Sequence, residues 1–165
     1  LKHAFRYAGC IEAGYLLDEI TIELITDGIH VTAPLMKLAL KNKGSDKIAL
    51  ITDSMRAAGT SDNKSILGSR KKGQEALVED GVAKMPDKQS FAGSIATADR
   101  LVRNMYQMGG ATVEEAVKMM SDVPAKIMGC DHYKGKLKKN YDADIVVFDS
   151  NITVKNVFIN GILKI

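Results

Sequence analysis

The sequence predicts an α/β fold, and three observations carry that expectation. An apolar, β-branched run, Ile20-Thr-Ile-Glu-Leu-Ile-Thr26, closes on Asp27-Gly28; helical periodicity follows Pro34; and a second short apolar run, Lys47-Ile-Ala-Leu-Ile-Thr52, closes on Asp53. Strand, helix and strand at this spacing imply two parallel strands joined by a crossover. The first run suits a buried strand because β-branched residues fit a pleated surface, and Asp-Gly supplies the turn that ends it. In the helix, Leu35, Met36, Leu38, Ala39 and Leu40 recur at helical spacing with Lys37, Lys41 and Lys43 between them, and Gly44 is the stop.

Between residues 58 and 90 the composition shifts to Gly, Ser, Asp and Lys. Asp80-Gly81, set between Ala76-Leu-Val78 and Val82-Ala83, predicts a hairpin, so this stretch is a β excursion from the main sheet. Helical period returns over residues 95–108, where Ala98, Leu101, Val102, Met105 and Met108 share a face that Asp99, Arg100, Arg103 and Asn104 oppose. Thr112-Val-Glu-Glu115 is a capping box, and Asp122-Val-Pro124 opens a shorter helix that Gly129 ends. Ala143-Asp-Ile-Val-Val-Phe148 and Val154-Lys-Asn-Val-Phe-Ile159 read as strands, with Asn160-Gly161 as a tight turn. The expected division is a β/α segment over residues 1–133 and a small β element over 134–165. A (β/α)8 barrel takes about 250 residues, so a barrel origin would make this chain the last part of one. Leu1 in place of Met and the apolar run up to Ile165 point the same way.

Charge and composition exclude several functions. The 165 residues carry 23 Lys+Arg against 20 Asp+Glu, a net +3, which argues against a strongly basic nucleic-acid surface. Hydrophobic residues at 45% and charged residues at 26% are ordinary globular usage and exclude a disordered chain. No apolar run approaches the roughly 20 residues that cross a bilayer. The two cysteines, Cys10 and Cys130, lack CxxC spacing and exclude a disulfide framework, so a reducing, cytoplasmic location is expected.

His30 and Asp53 stand out because each follows the carboxyl end of an expected parallel strand, the edge at which α/β sheets bind ligands. A carboxylate there can take a proton from an attacking water, and an imidazole can polarise a substrate oxygen. An Asp after a strand also serves as a turn or cap residue, and spacing alone leaves both readings open. His3, His30 and His132 form no HxH or HExxH pattern, so no complete His-rich metal site is present, and His132 reads as a loop residue. Phe91-Ala-Gly-Ser94 precedes a helix expected from Ile95, where it is either an anion-holding helix start or a turn with an N-cap. Arg70-Lys71-Lys72 reads as a solvated loop, and the face of Met105, Met108, Met119 and Met120 as core.

Taken in order, Glu23-Leu-Ile-Thr-Asp-Gly-Ile-His-Val31, Lys47-Ile-Ala-Leu-Ile-Thr-Asp-Ser-Met55 with Ala57-Ala-Gly59, Asp80-Gly-Val-Ala83, Phe91-Ala-Gly-Ser94, Ala125-Lys-Ile-Met-Gly129 and Asp142-Ala-Asp-Ile-Val-Val-Phe-Asp149 resemble the C-terminal half of the N-acetylglucosamine-6-phosphate deacetylases, of the amidohydrolase superfamily. The resemblance implies the C-terminal part of a (β/α)8 barrel over residues 1–133 and the last strands of a small β-sandwich domain over 134–165. It also implies a metal-dependent enzyme that converts N-acetylglucosamine 6-phosphate to glucosamine 6-phosphate and acetate. Asp53 would be the catalytic acid/base. His30 would contact the substrate near the amide, with Asp27, Gly28 and Ile29 beside it, and Phe91, Ala92 and Gly93 would close over the sugar. Arg6 would reach the phosphate across the interface of a homodimer, although Arg6-Tyr-Ala-Gly9 stands where the family has Arg-Glu-Pro-Gly. The metal, zinc or iron, is held in that family by a Glu and two His that match no position here, so this chain alone is expected to hold no metal tightly and to be inactive. No nucleic-acid or membrane partner is expected. The competing reading is a non-catalytic binding or structural module derived from an amidohydrolase.

Overall fold

Strands β1 (Ile22–Leu24) and β2 (Ile48–Leu50) lie side by side in parallel, with Ile22 paired to Ile48, Glu23 to Ala49 and Leu24 to Leu50. The computed structural model describes residues 9–165 of the chain. Helix α2 (Ala33–Lys43) joins the two strands, with Thr32 as its N-cap, Pro34 in its first turn and Gly44 at φ +67° as its stop. Pro34 falls where a missing N–H costs nothing and Gly44 where the left-handed turn favours it. Ahead of β1 lies a short helix, α1 (Cys10–Leu16), that the motifs along the chain do not announce. It is too short to show a periodic apolar face, and its ends are set by polar contacts. Glu12 accepts the Gly9 N–H at 2.8 Å, and Lys43 Nζ donates to the Leu17 carbonyl just beyond the helix at 2.7 Å.

The excursion is an antiparallel sheet of β3 (Lys64–Leu67), β4 (Gln74–Glu79) and β5 (Val82–Lys84). Asp80 and Gly81, at φ +52° and +78°, make the tight turn between β4 and β5 that the Asp-Gly pair predicts. The chain then folds back along β5, with the Ala92 N–H on the Ala83 carbonyl at 2.8 Å and Phe91 opposite Lys84. Next, Ser94 pairs in parallel with Ser54, just past the end of β2. This corrects both readings of Phe91-Ala-Gly-Ser94. Helix α3 (Ala98–Gln107) begins only at Ala98, with Thr97 as its N-cap, so the segment is neither a helix start nor a cap but a further parallel rung at the same sheet edge.

Helices α3, α4 (Val113–Met120) and α5 (Asp122–Ile127) follow. The predicted capping box is present: Thr112 Oγ1 accepts the Glu115 N–H at 3.2 Å, and Glu115 Oε2 accepts the Thr112 N–H at 2.8 Å. Strands β6 (Ile145–Phe148), β7 (Val154–Ile159) and β8 (Ile162–Leu163) form a third, antiparallel sheet, in which Asn160 and Gly161 turn β7 into β8. The main core joins Met36 and Ala39 of α2, Ile48 and Leu50 of β2, Leu101 and Met105 of α3, and Ala116 and Met119 of α4, and extends to Ile152 before β7. Met105 and Met119 are both at 0% exposure, so they are packing residues, as expected, whereas Met108 is 37% exposed. A second, smaller core of Met55, Ala57, Ala76, Ala83 and Ala92 holds the excursion against the segment that follows Asp53.

Truncating Met105, a fully buried side chain at the centre of the main core, should cost about 2–5 kcal/mol as Met105→Ala. Losing the cap should cost about 1 kcal/mol as Thr112→Ala. Denaturant unfolding measures both, and a Met105→Ala cost no larger than that of Thr112→Ala would contradict this packing.

Candidate functional site

The turn that follows β1 is organised by one carboxylate. Asp27 is 2% exposed, and its Oδ1 accepts the backbone N–H groups of Ile29 (2.9 Å) and His30 (2.8 Å) while Oδ2 meets His30 Nδ1 at 2.7 Å. Burial pushes the Asp27 carboxyl up, but the His30 ring and the two N–H groups outweigh it and hold the group below its ordinary 3.8. An ionised Asp27 can only accept, so Nδ1 of His30 carries the proton and Nε2 is the free nitrogen of the ring. Gly28, at φ +86°, gives the turn the left-handed step that a Cβ would strain.

Asp53 reaches the same edge from the neighbouring strand. The Ile51 N–H continues the ladder by donating to the Leu24 carbonyl at 3.0 Å, and Asp27 and Asp53 each lie three residues beyond a paired Leu, Leu24 and Leu50. Asp53 is exposed and sits at φ +46°, a conformation uncommon for a residue with a Cβ. Its backbone is held from the Ser94 side: the Ser94 N–H donates to the Asp53 carbonyl at 2.9 Å, the Met55 N–H donates to the Ser94 carbonyl at 2.8 Å, and Ser54 Oγ donates to the Ala96 carbonyl. Gly93 packs over this contact at φ +92°, where a Cβ would stand 3.2 Å from the Asp53 carbonyl oxygen. The Phe91 ring, 48% exposed, lies against His30 with centroids 4.8 Å apart at 56°. Residues 27–30, 53 and 91–93 are thus held to one another by a ring contact and by the Ser94 ladder, and Ala92 is buried beneath them in the small core.

Helix α3 anchors this edge through residues that its periodicity assigns to an open polar face. Asn104 Nδ2 donates to the Thr26 carbonyl at 2.9 Å, and Thr26 Oγ1 donates back to the Leu101 carbonyl at 3.2 Å. Arg100 Nη2 donates to the Asp27 carbonyl at 2.8 Å and Nη1 to the Gly81 carbonyl at 3.2 Å. Arg103 grips the loop before β7, with Nε on Asn151 and Nη2 on Ile152. The face that opposes the apolar stripe therefore clamps backbone instead of facing water. The available signal was the spacing of Arg100 and Asn104, four residues apart and so on one helix face.

Other candidates lie elsewhere. Arg6 and His3 fall outside the described residues. His132 packs edge-on against Tyr133 at 4.6 Å, and Arg70, Lys71 and Lys72 are exposed in the β3–β4 loop. Among the described residues no three His, Cys, Asp or Glu side chains come together as a metal-binding group, and no helix is long and apolar enough to cross a membrane.

The buried Asp27 carboxylate has a signature in pH. Its folded pKa is below the unfolded value, so its stabilising effect is complete above the unfolded pKa of about 4 and is lost as pH falls through the folded value. Asp27→Asn should destabilise the protein by about 1–3 kcal/mol at neutral pH, as expected for hydrogen bonds to a charged group. That deficit should shrink as thermal unfolding is followed down to about pH 3. An unchanged deficit across this range would show that the charge of Asp27 does not hold the turn.

A model of the amidohydrolase family matches residues 3–163. The N-acetylglucosamine-6-phosphate deacetylase of Lysinibacillus sphaericus is 38% identical over 160 residues, which cover 97% of this chain and 40% of that protein. The N-acetylgalactosamine-6-phosphate deacetylase of Escherichia coli O157:H7 is 36% identical over 156 residues, 94% of this chain and 40% of that one. The crystal structure of N-acetylglucosamine-6-phosphate deacetylase from Pasteurella multocida superposes with a TM-score of 0.88 at 29% identity, covering 96% of this chain and 40% of that chain. The chain thus spans about two fifths of the length of these relatives. With the family model running over nearly all of its residues, and with 96% of the chain matched to a solved deacetylase, the chain belongs to the amidohydrolase family.

Proposed function

We propose that this chain supplies the proton carrier and part of the sugar site of a deacetylase that hydrolyses N-acetylglucosamine 6-phosphate to glucosamine 6-phosphate and acetate. The observation that carries the reading is the convergence at one sheet edge of the Asp27–His30 turn, Asp53 and the Phe91–Gly93 segment. In this proposal β1, β2 and the Ser94 rung are the last strands of a (β/α)8 barrel, and residues 134–165 are the closing strands of a small β-sandwich domain. Active sites of such barrels lie at the carboxyl ends of the strands, where these residues stand.

Asp53 is exposed, and in this reading its side chain takes a proton from the water that attacks the acetyl carbonyl. It returns that proton to the sugar nitrogen as the C–N bond breaks, so the amine leaves neutral and the acyl group leaves as acetic acid, which gives its remaining proton to water to become acetate. His30 is oriented by Asp27, and its Nε2 side meets the substrate near the amide. The exposed Phe91 ring offers an apolar face to the sugar, and Gly93 permits close approach of the backbone. Arg6 is assigned to the phosphate of the substrate in the partner subunit of a cytoplasmic homodimer. The divalent metal that the resemblance implies, zinc or iron, would polarise the carbonyl and activate water. The described residues assemble no three-ligand set, so they do not fit that metal and no step is assigned through it.

The test is complementation. The chain alone should release no acetate from N-acetylglucosamine 6-phosphate. Co-expressed with the portion of the Lysinibacillus sphaericus relative that it does not match, it should do so, with the N-acetylgalactosamine 6-phosphate epimer as the second substrate assayed. In that assembly Asp53→Asn should lower kcat by about 10²–10⁴-fold, and a kcat within about threefold of the unmutated assembly would remove Asp53 from the proton-transfer role.

A further inference from the structure

We propose that Arg100 is a positioning residue that locks the excursion onto the 27–30 turn, so that its loss opens the sugar side of the site and leaves proton transfer at Asp53 in place. The kinetic half of this inference rests on the deacetylase reading; the structural half does not.

Arg100 is half-buried and has no carboxylate partner among the described residues. Its guanidinium is spent on two backbone carbonyls far apart in sequence, Asp27 at the turn and Gly81 at the tip of the β4–β5 hairpin. A guanidinium holds two acceptors at fixed spacing because its donors form a rigid planar fork. The hairpin tip also packs on the turn: a Cβ at Gly81 would lie 3.5 Å from Ile29 Cδ1 and 3.5 Å from Arg100 Nη2. Further along the same chain, Phe91 returns to meet the His30 ring. The excursion, an arm laid over the turn, therefore touches it at two points, and only the tip is fixed by charge-assisted hydrogen bonds. The backbone of Asp53 is held by the Ser94 ladder at the other end of the excursion, and the Arg100 hydrogen bonds go to Asp27 and Gly81 instead. The tip contact and the Asp53 contact are made by different parts of the excursion, the hairpin turn and the Ser94 ladder, and Arg100 holds only the first.

Arg103 is a built-in control. It sits on the same helix and also binds two carbonyls, but both belong to one loop, Asn151 and Ile152, remote in sequence from the turn and the hairpin.

Hydrogen exchange on the chain as it stands tests the structural half without substrate. Arg100→Ala should speed exchange about tenfold or more in peptides covering residues 26–31 and 79–85 together, the signature of one cooperative opening. Arg103→Ala should do so only around residues 149–154. Arg100→Lys keeps the charge and the aliphatic stem but lacks the fork, and should fall between wild type and Arg100→Ala. It also carries the test should Arg100→Ala fail to fold. Unchanged exchange in either the 26–31 or the 79–85 peptides would overturn the clamp. In the complemented assembly Arg100→Ala should raise KM about tenfold with kcat within about threefold, the pattern of lost binding. A fall in kcat at unchanged KM would overturn the positioning role. An assembly with no activity at all would count against the deacetylase reading, while the exchange result would still decide the clamp.

Discussion

A buried carboxylate that must have every oxygen satisfied is the constraint around which this end of the molecule is arranged. Asp27 is almost wholly out of water, and an ionised carboxylate there is tolerable only because three donors meet it, two from its own turn and one from the His30 ring. Satisfying that charge shapes the backbone of residues 27–30, selects the His30 tautomer and leaves Nε2 as the free ring nitrogen. Because the turn cannot rotate without stranding the carboxylate, its outer carbonyls point to fixed places. Helix α3 meets them there, with Asn104 on Thr26 and Arg100 on Asp27.

The second constraint is register. Parallel pairing of β1 with β2 carries the Asp27 turn and Asp53 to the same edge, and the Ser54–Ser94 bridge adds the end of the excursion to it. The small core beneath the arm is four alanines and one methionine, so the arm lies close on the chain after Asp53 and lacks the large interlocking side chains of the main core. Close, shallow packing of this kind has few apolar contacts to lose on opening. Polar clamps therefore join burial of Val82 in fixing the arm's tip, whereas the helices are held by large side chains, Leu101, Met105 and Met119, that are fully buried.

Membership of the amidohydrolase family and the geometry of the edge fit together physically. In such sheets chemistry collects at the carboxyl ends of strands, because turns there can present side chains without disturbing the packed strands beneath. Here β2 itself, Ile48, Ala49 and Leu50, is buried and chemically inert, and its polar groups begin only past the last paired residue.

The sequence by itself determined the elements whose cause is local. The β-branched run before Asp27-Gly28, Pro34 and Gly44 around α2, the Asp80-Gly81 and Asn160-Gly161 turns and the Thr112–Glu115 capping box all appear where those residues require them, because each depends on neighbours within a few positions. The family is legible in the same way, from the order of short motifs along the chain. Only the tertiary structure decided what the polar residues of α3 do, since Arg100 and Arg103 look alike in sequence and part only when Gly81 and Ile152 are brought to them from distant segments. It also decided that Ser94 is a parallel rung, because a single bridge to Ser54 leaves no periodic trace. Helix α1 stayed hidden for a similar reason: two turns at most cannot display an amphipathic period, and its ends are fixed by Glu12 and by Lys43 from another helix. What is local in the chain can be read along it; what depends on long-range carbonyl partners exists only once the chain has folded.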